Sequence, residues 1–310
     1  MRVKPLEFQY VVEMLREIGK WNFEEILKIY MLFEGYPKYY VSLDDLSLGG
    51  ARIERIIEEL FLSEDAPYRN EGKVLLGDSR RKTFYSIIEA ISMGKRKITD
   101  IAAYTRIKET QLPQYMDDLV YNLEIVIREK PIDAGPDTRR SLYYIKMRVM
   151  EFWFGYLHKN WSLVELGYTE QQIRIIRDDI DNFYATRFEF LARKFLVDLS
   201  TQNKLPIKIW KIGRWWRKKH EIDIVAIDDK QTILAVACRW GKISPKKALE
   251  EKEKTKQATI HIKMRPRKTI YGIIAKHVEK KETIRQLGYL AWDISDIEEY
   301  YTRQNTPHQE

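Results

Sequence analysis

Residues 221–226 read EIDIVA and residues 233–240 read ILAVACRW, and these two runs decide the fold class of the C-terminal half. Both are apolar nearly throughout, the composition of strands covered on both faces. The interval between them carries Asp228 and Asp229, a turn signal, so they are predicted as neighbouring strands. Asp223 lies on the first run and Arg239 on the second. Further β-type runs flank them: IKIWKIGRWW upstream, then TIYGIIAK and YLAWDIS downstream. A long helical stretch carrying Phe183, Phe188, Leu191 and Phe195 precedes them. Helix, several strands, a basic helix and a last strand predict helices around a mixed central sheet.

An acid on one strand, followed about 14 residues later on the next by an acid-x-Lys pair, is the core of the PD-(D/E)XK nucleases. Two carboxylates there hold a hard divalent cation such as Mg²⁺. The lysine orients the attacking water and offsets phosphate charge. A glutamate from the preceding helix often completes such a site, and Glu189 is placed for it, with Glu221 beside Asp223. Asp223 equally suits an ion pair with Arg214, Arg217 or Lys219. Asp228 and Asp229 are poor substitutes for a lost ligand, since they lie roughly 16–20 Å along an extended strand from Asp223.

Charge is uneven along the chain. The net charge is +8, yet residues 1–72 hold 9 basic and 14 acidic side chains, a net of −5. Residues 73–148 hold 15 and 10, a net of +5, and residues 239–286 hold 15 and 5, a net of +10. A polyanion partner for the basic parts follows, with a solvated, thermophile-type surface as the alternative. The single cysteine, Cys238, excludes an internal disulfide and a Cys-cluster zinc site, and is expected to be buried as a small apolar residue. No run of about 18 apolar residues marks a membrane span. The five histidines show no ligand spacing.

Residues 5–72 read as amphipathic helices, at 23–33 and 52–62 among others. Their acidic faces suit a protein partner better than nucleic acid. Residues 78–148 predict three helices, with Thr99 and Thr110 as caps, followed by strands at 124–130 and 141–146. That is the order of a winged helix-turn-helix. The third helix offers Gln111 and Gln114 for base readout but no Lys or Arg. Its surroundings, Lys95, Arg96, Lys97, Arg106 and Lys108 in the turns with Arg139 and Arg140 in the wing, suit phosphate contact without sequence reading. In the C-terminal half Arg214, Arg217, Lys218, Lys219, Lys246, Lys247, Arg265 and Arg267 are candidates for the same role. Residues 152–157, FWFGYL, are expected in the core, and Trp215-Trp216 to pack with one ring exposed.

The stretches 212–217 (IGRWWR) and 221–226, with Phe152-Trp153-Phe154, Phe188-Glu189 and Cys238-Arg239-Trp240, resemble the C-terminal domain attached to many archaeal AAA-type ATPases. Residues 29–40 resemble the helical lid of those ATPases, and residues 84–91 their winged helix. The resemblance implies the rear portion of such an ATPase. No GxxxxGK[ST] loop occurs, so ATP binding is not expected. The family's second strand reads Glu-Cys-Lys-Trp, whereas this chain has Ala237-Cys238-Arg239-Trp240: the metal-binding acid is lost, and the lysine is an arginine that does not readily cycle a proton.

The expected architecture is therefore α+β and α/β multidomain. It comprises a helical lid-like segment (1–77), a winged helix (78–148), a PD-(D/E)XK restriction-endonuclease-like mixed sheet with flanking helices (149–302) and a polar tail (303–310). The expected function is DNA association through phosphate contacts with a degraded site of Glu189, Asp223, Arg239 and Glu221. Alternatives are a module docking a separate ATPase or another protein through the acidic segment, and a residual metal-dependent nuclease. No cofactor is expected, Mg²⁺ (at Glu189 and Asp223) entering only under the last. The expected location is the cytoplasm, with nucleoid association under the first reading.

Overall fold

A computed structural model describes residues 5–77, 82–135, 138, 140–264 and 266–303. Arg139, Arg265 and the tail beyond residue 303 lie outside the described residues. The chain divides into two compact units, residues 1–129 with 141–181, and residues 130–140 with 182–310. The division falls inside the helix Thr169–Thr201, and so cuts across the segments read from the sequence.

The first unit is mostly helical. Asn22 starts the helix Phe23–Phe33 because its side chain accepts from the Glu25 amide while the Glu25 carboxylate accepts from the Asn22 amide, both at 3.0 Å. The helix Ile53–Ile57 continues in a wider, π-type turn over Glu58–Leu62. Helices Lys82–Ser92, Ile98–Thr105 and Leu112–Asp117 are followed by strands β1 (Val126–Glu129) and β2 (Leu142–Ile145), paired antiparallel. The expected caps are not used. Lys97 and Gln111 occupy the two cap positions without side-chain bonds, because the second helix already starts at Ile98.

The stretch 152–157 is core, as its aromatic content predicts, and it packs within this first unit. Phe152 meets Phe61 at 5.3 Å between ring centroids, and Phe154 meets Tyr85 at 5.5 Å. Trp153 is fully buried, donates to the Arg69 carbonyl at 2.8 Å, and lies flat against Gly72. A Cβ on Gly72 would sit 2.0 Å from Trp153 Cε3. Gly72→Ala is therefore expected to destabilise the protein by about 1–3 kcal/mol through overpacking, read as a lower urea midpoint at unchanged slope. An unchanged midpoint would show that the indole can shift without cost.

The second unit is a five-stranded mixed sheet ordered β3 (Lys211–Arg217), β4 (His220–Ile227), β5 (Thr232–Ile243), β6 (Lys268–Val278), β7 (Leu290–Asp293). The pairs β3–β4 and β4–β5 are antiparallel, while β5–β6 and β6–β7 are parallel. A parallel step needs a crossover. The helix Pro245–Thr259, capped by Ser244, makes the first, and Lys281–Gln286 lies in the second. Ile222, Val225, Ile233 and Ala235 pack in one apolar cluster with Trp215, and Ala237, Ile273, Ala275 and Ala291 in another. That explains why the central strands lack polar alternation.

Two described residues of the connection expected within the β1–β2 hairpin, Ile132 and Arg140, bond to β3. The Ile132 amide donates to the Arg214 carbonyl at 2.9 Å, and Arg140 donates to the Trp216 carbonyl at 2.8 Å.

Candidate functional site

Strands β4 and β5 bring the sequence-predicted residues together. Their register sets Ile224 opposite Val236, so Asp223 and Ala237 come level at the next step. Asp223 is 5% exposed. Its Oδ2 accepts from the Cys238 amide at 2.8 Å and from Arg239 Nη1 at 2.6 Å. Its Oδ1 lies 3.8 Å from Arg214 Nη2. Of the partners expected for Asp223, Arg214 is therefore present, but the close ion pair is with Arg239.

Arg214, buried on β3, also reaches Glu189 at 3.1 Å and Glu221 at 3.3 Å. Glu189 comes from the helix Thr169–Thr201, so the four residues read as a degraded site do converge. Arg214, expected to contact phosphate, is turned inward onto them, because buried carboxylates need a counter-charge. Arg140 likewise serves internal partners, the Trp216 carbonyl and Asp133 at 3.8 Å.

One residue of the site was not anticipated. Glu251, on the helix Pro245–Thr259, is 5% exposed and accepts from Arg239 Nη2 at 2.5 Å and from Lys254 at 3.0 Å. It shares the buried face of that helix with Ala248, Thr255 and Ala258. The signal available in the sequence was this spacing: small residues at i−3, i+4 and i+7 mark an inward face, and the glutamate lies on it.

Arg239 therefore stands between two carboxylates, one on each terminal nitrogen. Burial works against its charge, but Asp223 and Glu251 outweigh that and hold the guanidinium protonated more firmly than in an ordinary arginine. Burial also opposes ionisation of Glu251, yet hydrogen bonds from Lys254 and Arg239 keep its carboxyl below the usual glutamate range. Burial, with Glu189 and Asp223 nearby, pushes the Cys238 thiol well up, which suits a buried, inert cysteine.

The network borders a cleft of about 320 Å³ lined by Asp223, Ala237, Arg239, Glu251, Lys254 and Lys219 among others. Ala237 has no group to coordinate a metal, and the guanidinium fills the space between the acids. As built, these residues do not fit the two-carboxylate Mg²⁺ site of a nuclease. Among the described residues no group of three or more His, Cys, Asp or Glu side chains is arranged to hold a metal ion. His220 lines the cleft, and its ring lies tilted by 32° against that of His261, with ring centroids 4.5 Å apart.

The remaining candidate cations separate by unit. In the first, Lys95, Lys97, Arg106 and Lys108 are exposed with Gln111 and Gln114, while Arg96 is half-buried over the Tyr144 ring at 4.6 Å. In the second, Arg217, Lys218, Lys219, Lys246, Lys247 and Arg267 are exposed. Trp215 is wholly buried and Trp216 partly so. No helix among the described residues is long and apolar enough to cross a membrane.

Residues 153–256 match the family DUF234, described as archaeal and bacterial proteins of unknown function. That segment holds Glu189, Arg214, Glu221, Asp223, Arg239 and Glu251, the whole network. Over 285 residues the chain is 28% identical to an uncharacterised protein of Methanocaldococcus jannaschii, covering 91% of this chain and 62% of that relative. The chain thus spans less than two thirds of the length of the relative it matches. No solved structure matches.

Proposed function

We propose that this chain associates with DNA through its phosphates and does not cut it. In this reading residues 78–148 form a winged helix, and the sheet β3–β7 is a PD-(D/E)XK-type scaffold whose site has decayed. The observation that carries it is the Arg239 guanidinium held between Asp223 and Glu251, beside Ala237. A carboxylate pair neutralised from within, with no acid on β5, is poorly suited to bind the metal that activates water. Exposed Lys219 lines the same cleft and is preceded in the chain by the exposed Arg217 and Lys218, so the surface attracts a polyanion while the chemistry is disabled.

The test is a fluorescence titration of the full chain with two unrelated duplexes, and incubation with supercoiled plasmid in Mg²⁺ or Mn²⁺. Similar affinities and an intact plasmid are expected. Absence of binding at low salt overturns DNA association. Cleavage that disappears in Asp223→Ala overturns the decay argument and restores the residual-nuclease reading.

A second reading, a protein partner on the acidic N-terminal segment, is favoured by the exposure of Tyr10, Val41 and Leu46 there and of Val74 just after it, within the lid-like segment 1–77. By the lid resemblance that partner is a separate ATPase. Removing residues 1–72 is not a clean test, because Phe61 and Gly72 belong to the core around Phe152 and Trp153. Surface changes such as Val41→Lys with Val74→Lys leave that core untouched. They are expected to abolish co-elution with the partner while DNA affinity persists.

A further inference from the structure

Resting on the DNA association proposed above, we infer that Trp210 is a stacking platform for an unpaired base. The polyanion held at this end of the sheet is then single-stranded DNA, or a duplex carrying an unpaired stretch, and the contact lies away from the cleft.

Trp210 immediately precedes β3, the edge strand of the sheet. Its amide donates to the Ile227 carbonyl at 2.8 Å, so its backbone is fixed against β4. The side chain is nevertheless uncovered. The residue is 79% exposed, the highest value among the described large apolar residues, whereas Trp215, on β3 itself, is wholly buried. Leaving so large an apolar surface in water is unfavourable. A tryptophan anchored in this way offers a rigid planar face, and ordering it on binding costs little conformational entropy.

The register brings cations to the same end of the sheet. Thr232, at the start of β5, pairs with Lys268, at the start of β6, and the Arg267 amide donates to the Gln231 carbonyl at 3.1 Å. Neighbouring strands lie about 4.8 Å apart, so the steps from Trp210 across β4 and β5 to Lys268 span roughly 14 Å. Lys208, Lys230, Arg267 and Lys268 are exposed there, and among the described residues none of the four is in an ion pair. Lys211 is committed elsewhere, since its ammonium donates to the Ile132 carbonyl at 2.6 Å. Of the acids in the β4–β5 turn, Asp228 is buried and accepts from the Lys230 and Thr232 amides at 2.9 and 2.7 Å, so its charge is directed into the turn. Asp229 is the exposed one.

An aromatic face beside cations free to meet phosphates is the composition of a single-strand site. Every base has a π-face, but in a duplex the neighbouring pairs cover it and only the edges show, so an unpaired base is what can lie on this ring. Lysine is depleted at protein interfaces, and the exposed neighbours of Trp210 in chain and register are lysines and an arginine rather than a second large apolar side chain. The platform is also distinct from the cleft. Ile227, against which Trp210 is held, lies four residues along β4 from Asp223, about 13 Å.

The experiment titrates the full-length chain with three fluorescein-labelled probes of equal length: an oligothymidylate, a duplex, and an abasic strand that keeps the phosphates and lacks the bases. Trp210→Ala is expected to weaken binding of the oligothymidylate about tenfold, within the range for losing one base–aromatic stack. Its affinity for the duplex and for the abasic strand should stay within about twofold of wild type, because the phosphate contacts remain. Trp210→Phe, which keeps a ring, should bind the oligothymidylate more tightly than Trp210→Leu, which keeps only apolar bulk. An oligothymidylate affinity unchanged in Trp210→Ala overturns the inference and leaves DNA association standing. So does an equal loss on all three probes, or equal affinity of the Phe and Leu variants. Sedimentation velocity tests the other occupant: a wild-type dimer that Trp210→Ala disperses, with DNA affinity unchanged, places a second copy on the ring and overturns the inference. No binding of any probe by wild type at low salt overturns DNA association itself, and the inference with it.

Discussion

Asp223→Ala is expected to destabilise the second unit by about 3 kcal/mol, the lower end of the range for breaking a buried ion pair by removing one partner. The lower end applies because Arg239 is 40% exposed and can turn to water. Arg214, 10% exposed, has less freedom, although it keeps Glu189 and Glu221. The Cys238 amide loses its acceptor inside the sheet, a separate cost. Asp223→Asn keeps an acceptor for that amide and removes only the charge, so it should fall between wild type and Asp223→Ala. Urea unfolding monitored by tryptophan fluorescence measures both. A loss below about 1 kcal/mol for Asp223→Ala would mean that the network is solvated and contributes little. Acid provides an independent arm. Glu251 is held below the usual glutamate range in the folded chain, so its contribution is complete above about pH 4.3 and is lost as pH falls through the lower folded value. Glu251→Gln should therefore flatten the acid limb of the stability profile while leaving its alkaline limb in place.

The larger effect expected in solution is on DNA affinity. If about six phosphates are neutralised, the logarithm of the binding constant should fall with the logarithm of salt at a slope near −5, a loss of about a thousandfold between 50 and 200 mM. Exposed candidates for those contacts in the second unit are Arg217, Lys218, Lys219, Lys246, Lys247 and Arg267. Arg214 and Arg140 are not among them, because both bond inward. Lys218→Ala with Lys219→Ala should weaken binding to every sequence alike and reduce the slope by about two. Tight binding insensitive to salt would contradict a phosphate-led interface, and a loss confined to one sequence would indicate base readout.

Most of the fold was legible in the chain. Runs such as 222–226 and 233–238 lack polar alternation because both faces of a central strand are covered, and the structure places both in the sheet interior. The closeness of Asp223 to the 237–239 stretch was legible too, since two neighbouring antiparallel strands joined by a short turn bring Asp223 level with Ala237, two residues from Arg239. Glu189 converged with them from the helix that precedes the sheet, as its place in the order of elements implied.

Glu251 and the inward turn of Arg214 were decided only by the tertiary structure. In 245–259 the residues are mostly Lys and Glu, and composition alone reads that helix as a solvated face. Which of its glutamates is buried depends on how the helix is rotated against β4 and β5, and that rotation is set by Ala248 and Ala258 packing on the sheet. The direction of a long arginine is likewise not a local property. Arg214 and Arg239 turn inward because carboxylates from three elements, Glu189, Asp223 with Glu221, and Glu251, converge on one place, and a buried negative charge draws the nearest guanidinium out of water. The attachment of Ile132 and Arg140 to β3 has the same origin: the edge strand offers the Arg214 and Trp216 carbonyls, and only a chain already folded brings the Ile132 amide and Arg140 to them. Local periodicity determined the elements, and the balance of charge across elements distant in sequence determined the site.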